Sequence, residues 1–385
     1  MKNFISRYIY TILAFVFIFS SLSFKPLSNK DDNINSEPSE KFESTFFNKK
    51  SITDGPYIFY ENDEILVKWI QNNHLKEKVI HENNFKIINR KFGFDFEPNW
   101  IVQNNTDSIN YIQNYTGVEN LIAVSDVHGQ YNLLIKLLRK HKVIDKHYNW
   151  IFDKGHLVIL GDVFDRGSKV TEILWLIYRL EQQAKEKGGM VHVMLGNHEL
   201  MVLNNDLRYV HEKYTQSANL MSTTFNQLYS SNSFLGKWLR KKPVLVKIND
   251  MQFVHAGVSP KIVRYGFTQS EINECFINKI IDKSKKSVLA DSSLALLRGK
   301  DGPVWYRGYF SESKITEQEV NGLLNYFDAK HIIVGHTSMP NIVSYYDKKI
   351  IGIDSSIKNG DSGEILIFKN NEFYRGTSNG ALIKL

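Results

Sequence analysis

After residue 107 the chain repeats one pattern: a short apolar run, then an abrupt switch to Asp, His, Asn and Gly. Leu121-Ile122-Ala123-Val124 runs into Asp126-Val127-His128-Gly129, and Leu157-Val158-Ile159-Leu160 runs into Gly161-Asp162-Val163-Phe164-Asp165-Arg166-Gly167. Val191-His192-Val193-Met194-Leu195 leads to Gly196-Asn197-His198-Glu199, Phe253-Val254 to His255-Ala256-Gly257, and Ile332-Ile333-Val334 to Gly335-His336-Thr337. Runs of this length, alternating with helix-period segments, predict an α/β sandwich over residues 107–385. Strands of such folds carry their ligands at the carboxyl edge, so five strand ends are expected to converge there.

Upstream the pattern changes. Pro56-Tyr57-Ile58-Phe59-Tyr60, the turn Glu61-Asn62-Asp63 and Ile65-Leu66-Val67-Lys68-Trp69-Ile70 predict strand, turn and strand, and Lys78-Val79-Ile80 adds a further strand. These form a small β-rich element within residues 56–106. Residues 24–55 are rich in Ser, Asn, Asp, Glu and Lys and read as a flexible linker. Lys2 and Arg7 precede an apolar stretch from Tyr8 to Phe24, with Ser21 and Ser23 two apart, so residues 1–23 read as a signal peptide or an uncleaved membrane anchor. Either reading sends the chain outward: exported to a periplasm or medium, or anchored facing outside.

Composition narrows the chemistry. Lysine and arginine (48) exceed aspartate and glutamate (41) by a net +7, spread without single-sign blocks, which gives nucleic-acid binding little support and leaves phosphorylated substrates open. The single cysteine, Cys275, excludes an internal disulfide and a cysteine-rich metal module, and its helix-like setting beside Phe276 predicts a buried, inert thiol.

Any metal must therefore be held by oxygen and imidazole donors, a set suited to Mn, Fe or Zn. A shared carboxylate holds two such ions about 3.5–4 Å apart. Asp162 is the expected bridge, with Asp126 and His128 on one ion and Asn197, His255 and His336 on the other. Two divalent cations there attract a phosphate dianion and lower the pKa of a bridging water, making the bridging hydroxide the nucleophile. The remaining histidines, among them His156, His192 and His211, fit no such pattern and read as surface or packing residues.

Asp126-Val127-His128-Gly129, Gly161-Asp162 through Asp165-Arg166-Gly167, and Gly196-Asn197-His198-Glu199 resemble the successive signatures of the calcineurin-like metallophosphoesterases. The Asp-Arg-Gly form is similar to the phosphoprotein phosphatase branch. The segments Asp206 to His211, Leu235 to Arg240 and Gly302 to Gly308 resemble the Shewanella-like protein phosphatases. The resemblance spans about residues 118–356 and implies a β-sandwich flanked by helices, layered α/β/β/α, with the same metal ligands as above. It further implies His198 as the general acid, oriented by Asp165, and Arg166 and Arg307 as clamps on the phosphoryl oxygens, with Asn197 and Tyr306 lining the substrate cleft. Departures exist: Leu195 stands where eukaryotic members usually have arginine, Ala256 replaces a glycine, and Ser338 stands where many nucleases of the superfamily have a second histidine. The last favours monoester over diester hydrolysis.

The expected activity is hydrolysis of phosphate monoesters, with phosphorylated tyrosine, serine or threonine of proteins as substrate. A small-molecule or dinucleoside-polyphosphate phosphatase uses the same metals, and a catalytically silent phosphate-binding surface protein is the alternative outside enzymes. Aromatic and basic residues between Glu199 and Pro243 (Tyr209, Tyr214, Phe225, Tyr229, Trp238, Arg240) are expected to build a helical wall over the cleft, most of their rings packing into the core.

Overall fold

The computed structural model describes residues 51–62, 64–81, 89, 92, 100–101, 109–311 and 314–385. The segment read as a signal or anchor, residues 24–50 of the expected linker, and the expected boundary at 107 lie outside the described residues.

Strands β1 (Asp54–Glu61), β2 (Glu64–Gln71) and β3 (His74–Ile80) form an antiparallel sheet in that order. The first strand begins two residues before the predicted one and so includes the end of the expected linker, and the third is longer than the triplet read from the sequence. This sheet belongs to the same compact unit, Lys50–Leu385, as everything that follows.

Two six-stranded sheets make the sandwich. One joins β5 (Asn120–Val124), β6 (His156–Ile159) and β7 (Met190–Val193), mutually parallel, to β13 (Glu364–Lys369), β14 (Glu372–Thr377) and β15 (Leu382–Lys384), which run antiparallel. The other has the order β11 (Val343–Tyr345), β12 (Ile350–Gly352), β10 (His331–Val334), β9 (Met251–Val254), β8 (Leu245–Ile248) and β4 (Asn114–Tyr115).

Side-chain alternation divides the burial. Leu121, Ala123, Val158, Leu366 and Phe368 meet Val246, Met251, Phe253, Ile333 and Ile351 between the sheets. Ile122, Val124, Leu157, Ile159, Ile332 and Val334 point the other way, into the helix-covered layer. Strands buried on both faces explain why the sequence shows continuous apolar runs instead of alternation. Helices α1 (Tyr131–Lys140) and α2 (Val170–Glu186) supply that cover, α1 through Leu133, Leu134, Leu137 and Leu138 at helical spacing and α2 through a mostly apolar run that includes Trp175.

Residues between α3 (Asn197–Leu203) and β8 fold as α4 (Glu212–Leu220), a 3₁₀ turn (Phe225–Tyr229) and α5 (Phe234–Arg240). Tyr214, Phe225, Tyr229 and Trp238 are buried, as expected. This segment also packs on the N-terminal sheet: Tyr60 donates its N–H to Asn232 O at 2.9 Å, and Tyr57 meets Tyr229 edge to face. Cys275 is a buried free thiol, and burial pushes its pKa up.

Candidate metal centre

The parallel strands β5, β6 and β7 point their carboxyl ends to one edge, and the parallel pair β9 and β10 does the same in the other sheet. The loops after them are laced together by main-chain bonds. His128 N donates to Asp162 O at 2.9 Å, Gly167 N to His128 O at 3.0 Å, and Gly335 N to His255 O at 2.7 Å. Asp126, His128, Asp162, Asp165, Arg166 and His336 all hold positive φ, between 45° and 71°. Left-handed backbone is uncommon for residues with a side chain, though Asp and His adopt it more readily than most, and here it turns each loop sharply beside its ligand.

Asp162 is at the middle. Its Oδ2 lies 3.3 Å from His255 Nε2, 3.6 Å from His128 Nε2 and 3.9 Å from His198 Nε2, and its Oδ1 accepts the His198 N–H at 3.0 Å. Two groups of donors share it: His128, Asp162 and His198 in one, Asp162, His255 and His336 in the other, each within 4.8 Å. Asp126 Oδ1 borders the first group, 4.0 Å from His128 Nε2, and Asn197 Oδ1 borders the second, 3.0 Å from His255 Nε2. His198 stands inside the first group although the sequence reading keeps it off the metal. Its Nδ1 is bound to Asp165 Oδ2 at 2.5 Å, which leaves only Nε2 facing Asp162.

The chemistry of the donors fits divalent cations. Phe164 O accepts from His128 Nδ1 and Leu160 O from His255 Nδ1, both at 2.7 Å, so in each ring Nε2 is the nitrogen left facing Asp162 and free to ligate once unprotonated. His336 Nε2 is buried with no hydrogen-bond partner, an orphan that a cation would satisfy. Burial pushes His128 down to about 3 and His336 to about 2, keeping both as neutral ligands. For His255, burial opposes protonation but Asp162 and Asp126 outweigh it and raise the pKa to about 10. The carboxylates thus demand positive charge, which in the bare chain is a proton and which a metal ion supplies in its place.

Other residues hold the ligands. Glu199, 2% exposed, accepts from Gly196 N and Asp162 N through Oε2, at 2.7 and 2.8 Å, and from Val163 N and Phe164 N through Oε1, at 2.7 and 3.3 Å. It therefore ties the second and third motifs together, a role the sequence reading did not give it although it ends the Gly-Asn-His-Glu motif. Asp354 was missed outright. It is buried, accepts from Ser338 Oγ at 2.5 Å, and its charge, after burial itself, helps raise the Asp126 pKa. Its signal was present: Ile350-Ile351-Gly352-Ile353 is one more apolar run ending in an acid.

At the rim, Arg166 and Arg307 are both exposed, and Arg307 Nη1 donates to His336 O at 2.9 Å and to Thr337 Oγ1 at 3.2 Å. Tyr306 is placed differently from the expectation that it lines the cleft. It is 9% exposed and packs edge-on against Tyr309, beside Gly257; its neighbour Trp305 meets His336 edge to face at 5.7 Å. The insert's exposed aromatic, Tyr209, lies beside His198 with ring centroids 5.4 Å apart.

Comparison with known proteins agrees with this arrangement. The family model described as calcineurin-like phosphoesterase matches residues 120–340. A solved structure, a cold-active protein-tyrosine phosphatase of a psychrophilic Shewanella species, is 40% identical with a TM-score of 0.79, covering 87% of this chain and 100% of that one. Shewanella-like protein phosphatase 1 of Plasmodium berghei (strain Anka) is 29% identical over 263 residues, 64% of this chain and 70% of the relative. Shewanella-like protein phosphatase 2 of Arabidopsis thaliana is 26% identical over 289 residues, 63% and 72% of the two chains. Strand ends that gather metal-type donors around one aspartate, in a chain so matched, lead to one conclusion: the protein belongs to the calcineurin-like phosphoesterase family and is a metal-dependent phosphatase similar to the Shewanella-like protein phosphatases.

Proposed function

We infer that the chain is a dinuclear phosphomonoesterase acting on phosphorylated proteins, with phosphotyrosine among its substrates. The observation that carries this is Asp162, shared by two donor groups, with the His198–Asp165 pair at its side. Asp126, His128 and Asp162 would hold one ion, and Asp162, Asn197, His255 and His336 the other; Mn, Fe and Zn all suit these donors. Such ions supply Lewis acidity toward the phosphoryl oxygens and activate water for attack.

The chain's own groups do the rest. Arg166 and Arg307 offer guanidinium N–H groups to the phosphoryl oxygens at the rim. His198 holds a proton for the departing oxygen at Nε2. In the metal-free chain Asp162 and the hydrogen bond to Asp165 outweigh burial and raise the His198 pKa; with ions on Asp162, the Asp165 hydrogen bond is the contact that favours that proton. Asp165 fixes the tautomer by accepting from Nδ1. The protein-tyrosine phosphatase named above, alike over most of this chain, supports a phosphoprotein substrate. We further propose export, from the basic and apolar residues at the N-terminus; residue-level mapping of the mature N-terminus in secreted and membrane fractions tests it.

The decisive experiment strips the protein with chelator and restores Mn, Fe or Zn separately, assaying phosphotyrosyl and phosphoseryl peptides, nucleotides and dinucleoside tetraphosphates. Activity should vanish and return with metal, phosphopeptides should be the better substrates, and His198→Asn should lower kcat by about 10²–10⁴-fold with bound metal unchanged. Full turnover without metal, or preference for the dinucleoside, would overturn the reading.

A further inference from the structure

We propose that Tyr209 selects for aryl phosphates, forming the wall against which the ring of a phenolic leaving group rests. This rests on the reading of His198 as the group that protonates the departing oxygen. Among the insert's aromatics Tyr214, Phe225, Tyr229 and Trp238 are core residues, whereas Tyr209 is 44% exposed. An exposed ring in a loop would normally be free to swing, but two guanidinium groups lie against this one and its main chain is fastened. The Arg166 guanidinium carbon lies 5.3 Å from its ring centroid and that of Arg208 lies 5.6 Å away. Asp206 forks Arg208 with two bonds of 2.8 Å, and Tyr209 O accepts the Arg166 N–H at 3.0 Å.

The position of this ring relative to the chemistry gives it a role. Arg166 reaches for the phosphoryl oxygens, and His198 faces the oxygen that leaves. The first atoms beyond that oxygen therefore emerge beside His198, where the Tyr209 ring stands 5.4 Å away, tilted by 51°. A phenolic ester places an aromatic ring directly on the leaving oxygen, next to His198, and aromatic pairs attract at centroid separations of about 4.5–7 Å. A seryl ester has only one methylene there and gains little. Tyr209 thus contributes to the ratio of aryl to alkyl turnover, and its contact with Arg166 contributes to both.

That separation makes the idea testable in the metal-loaded, full-length enzyme. kcat/KM would be measured for a phosphotyrosyl and a phosphoseryl peptide of identical flanking sequence, and for phenyl phosphate against an alkyl phosphate. Tyr209→Ala should lower the aryl-to-alkyl ratio about three- to ten-fold, and Tyr209→Phe should keep it within about two-fold of wild type. Arg166→Ala should depress both esters together and, because Arg208 still holds the ring, change the ratio less than Tyr209→Ala does. If Tyr209→Ala instead lowers both equally, the ring only props Arg166 and the proposal is wrong. A metal-loaded wild type that hydrolyses neither ester defeats the phosphomonoesterase reading itself, a result distinct from an unchanged ratio.

Discussion

Gly335 occupies a point where no side chain fits: a Cβ there would lie 1.9 Å from Ser125 Oγ and 2.5 Å from Asp126 Oδ2. Those atoms are bonded to each other at 2.5 Å, and Asp126 Oδ2 also accepts the His336 N–H at 2.9 Å. A methyl group would push the carboxylate out of line. Gly335→Ala should therefore weaken metal affinity about 10–100-fold, the usual effect of disturbing the groups that orient ligands. Titration of the stripped variant with Mn or Zn checks this, and wild-type affinity would contradict it. At this scale the sequence was informative about residue identity. Asp126, His128, Asp162, Asn197, His255 and His336 could be chosen because each follows an apolar run and is a metal-type donor. It was silent on orientation. Nothing local distinguishes Tyr306, turned into the core, from Trp305, turned toward His336, because that choice depends on the packing around Tyr309 and Gly257.

Among the elements, the N-terminal sheet has a structural part that its sequence did not reveal. Asp54, wholly buried as a side chain, accepts from Tyr57 Oη at 2.7 Å and Thr171 Oγ1 at 3.1 Å and pairs with Lys213 Nζ at 3.2 Å. Lys213 in turn donates to Ser168 O at 2.9 Å, two residues after Arg166, and Trp175 Nε1 donates to Pro56 O at 2.9 Å. One carboxylate thus fastens β1 to α2 and α4, just behind the arginine loop. Asp54→Ala leaves Lys213 only its pair with Glu172 Oε1 at 3.3 Å and takes an acceptor from Tyr57 and Thr171, and should cost about 1–3 kcal/mol of stability. Urea unfolding monitored by tryptophan fluorescence measures it; a loss below about 1 kcal/mol would mean that the pair is dispensable. The strand–turn–strand pattern was legible because hairpin signals are local. The docking of β1 on α2 joins residues more than a hundred positions apart, and no periodicity encodes which helix a sheet will meet.

Across the whole molecule, a second histidine cluster contributes to how stability responds to acid. His192 Nε2 and His156 Nδ1 share a hydrogen bond at 2.9 Å, with Tyr115 edge-on to His192 at 4.6 Å. Burial, then His156 and Lys242, push the His192 pKa from 6.5 down to about 3. The folded ring therefore stays neutral while the unfolded chain takes up a proton below its ordinary pKa. The stability this ring contributes is complete above that value and should fall by about 1.4 kcal/mol per pH unit as the solution is acidified through the interval between the unfolded and folded values. Denaturation midpoints at several pH values would trace the slope, to which the buried neutral His128 and His336 also contribute, and His192→Phe should reduce it by about 1.4 kcal/mol per pH unit; an equally steep variant would assign the loss to other groups. The sequence by itself determined the layered α/β architecture, the identity of the donors and the family chemistry they imply, because burial on both strand faces and polar strand ends leave a mark in the order of residues. Tertiary structure decided what acts at a distance. It set Asp162 between two donor groups, bound Glu199 across two loops, brought Asp354 behind Asp126 and stood Tyr209 beside His198. Those outcomes follow from how separate strands and loops come to lie together, and the free energy that selects them is spread over contacts between residues far apart in the chain.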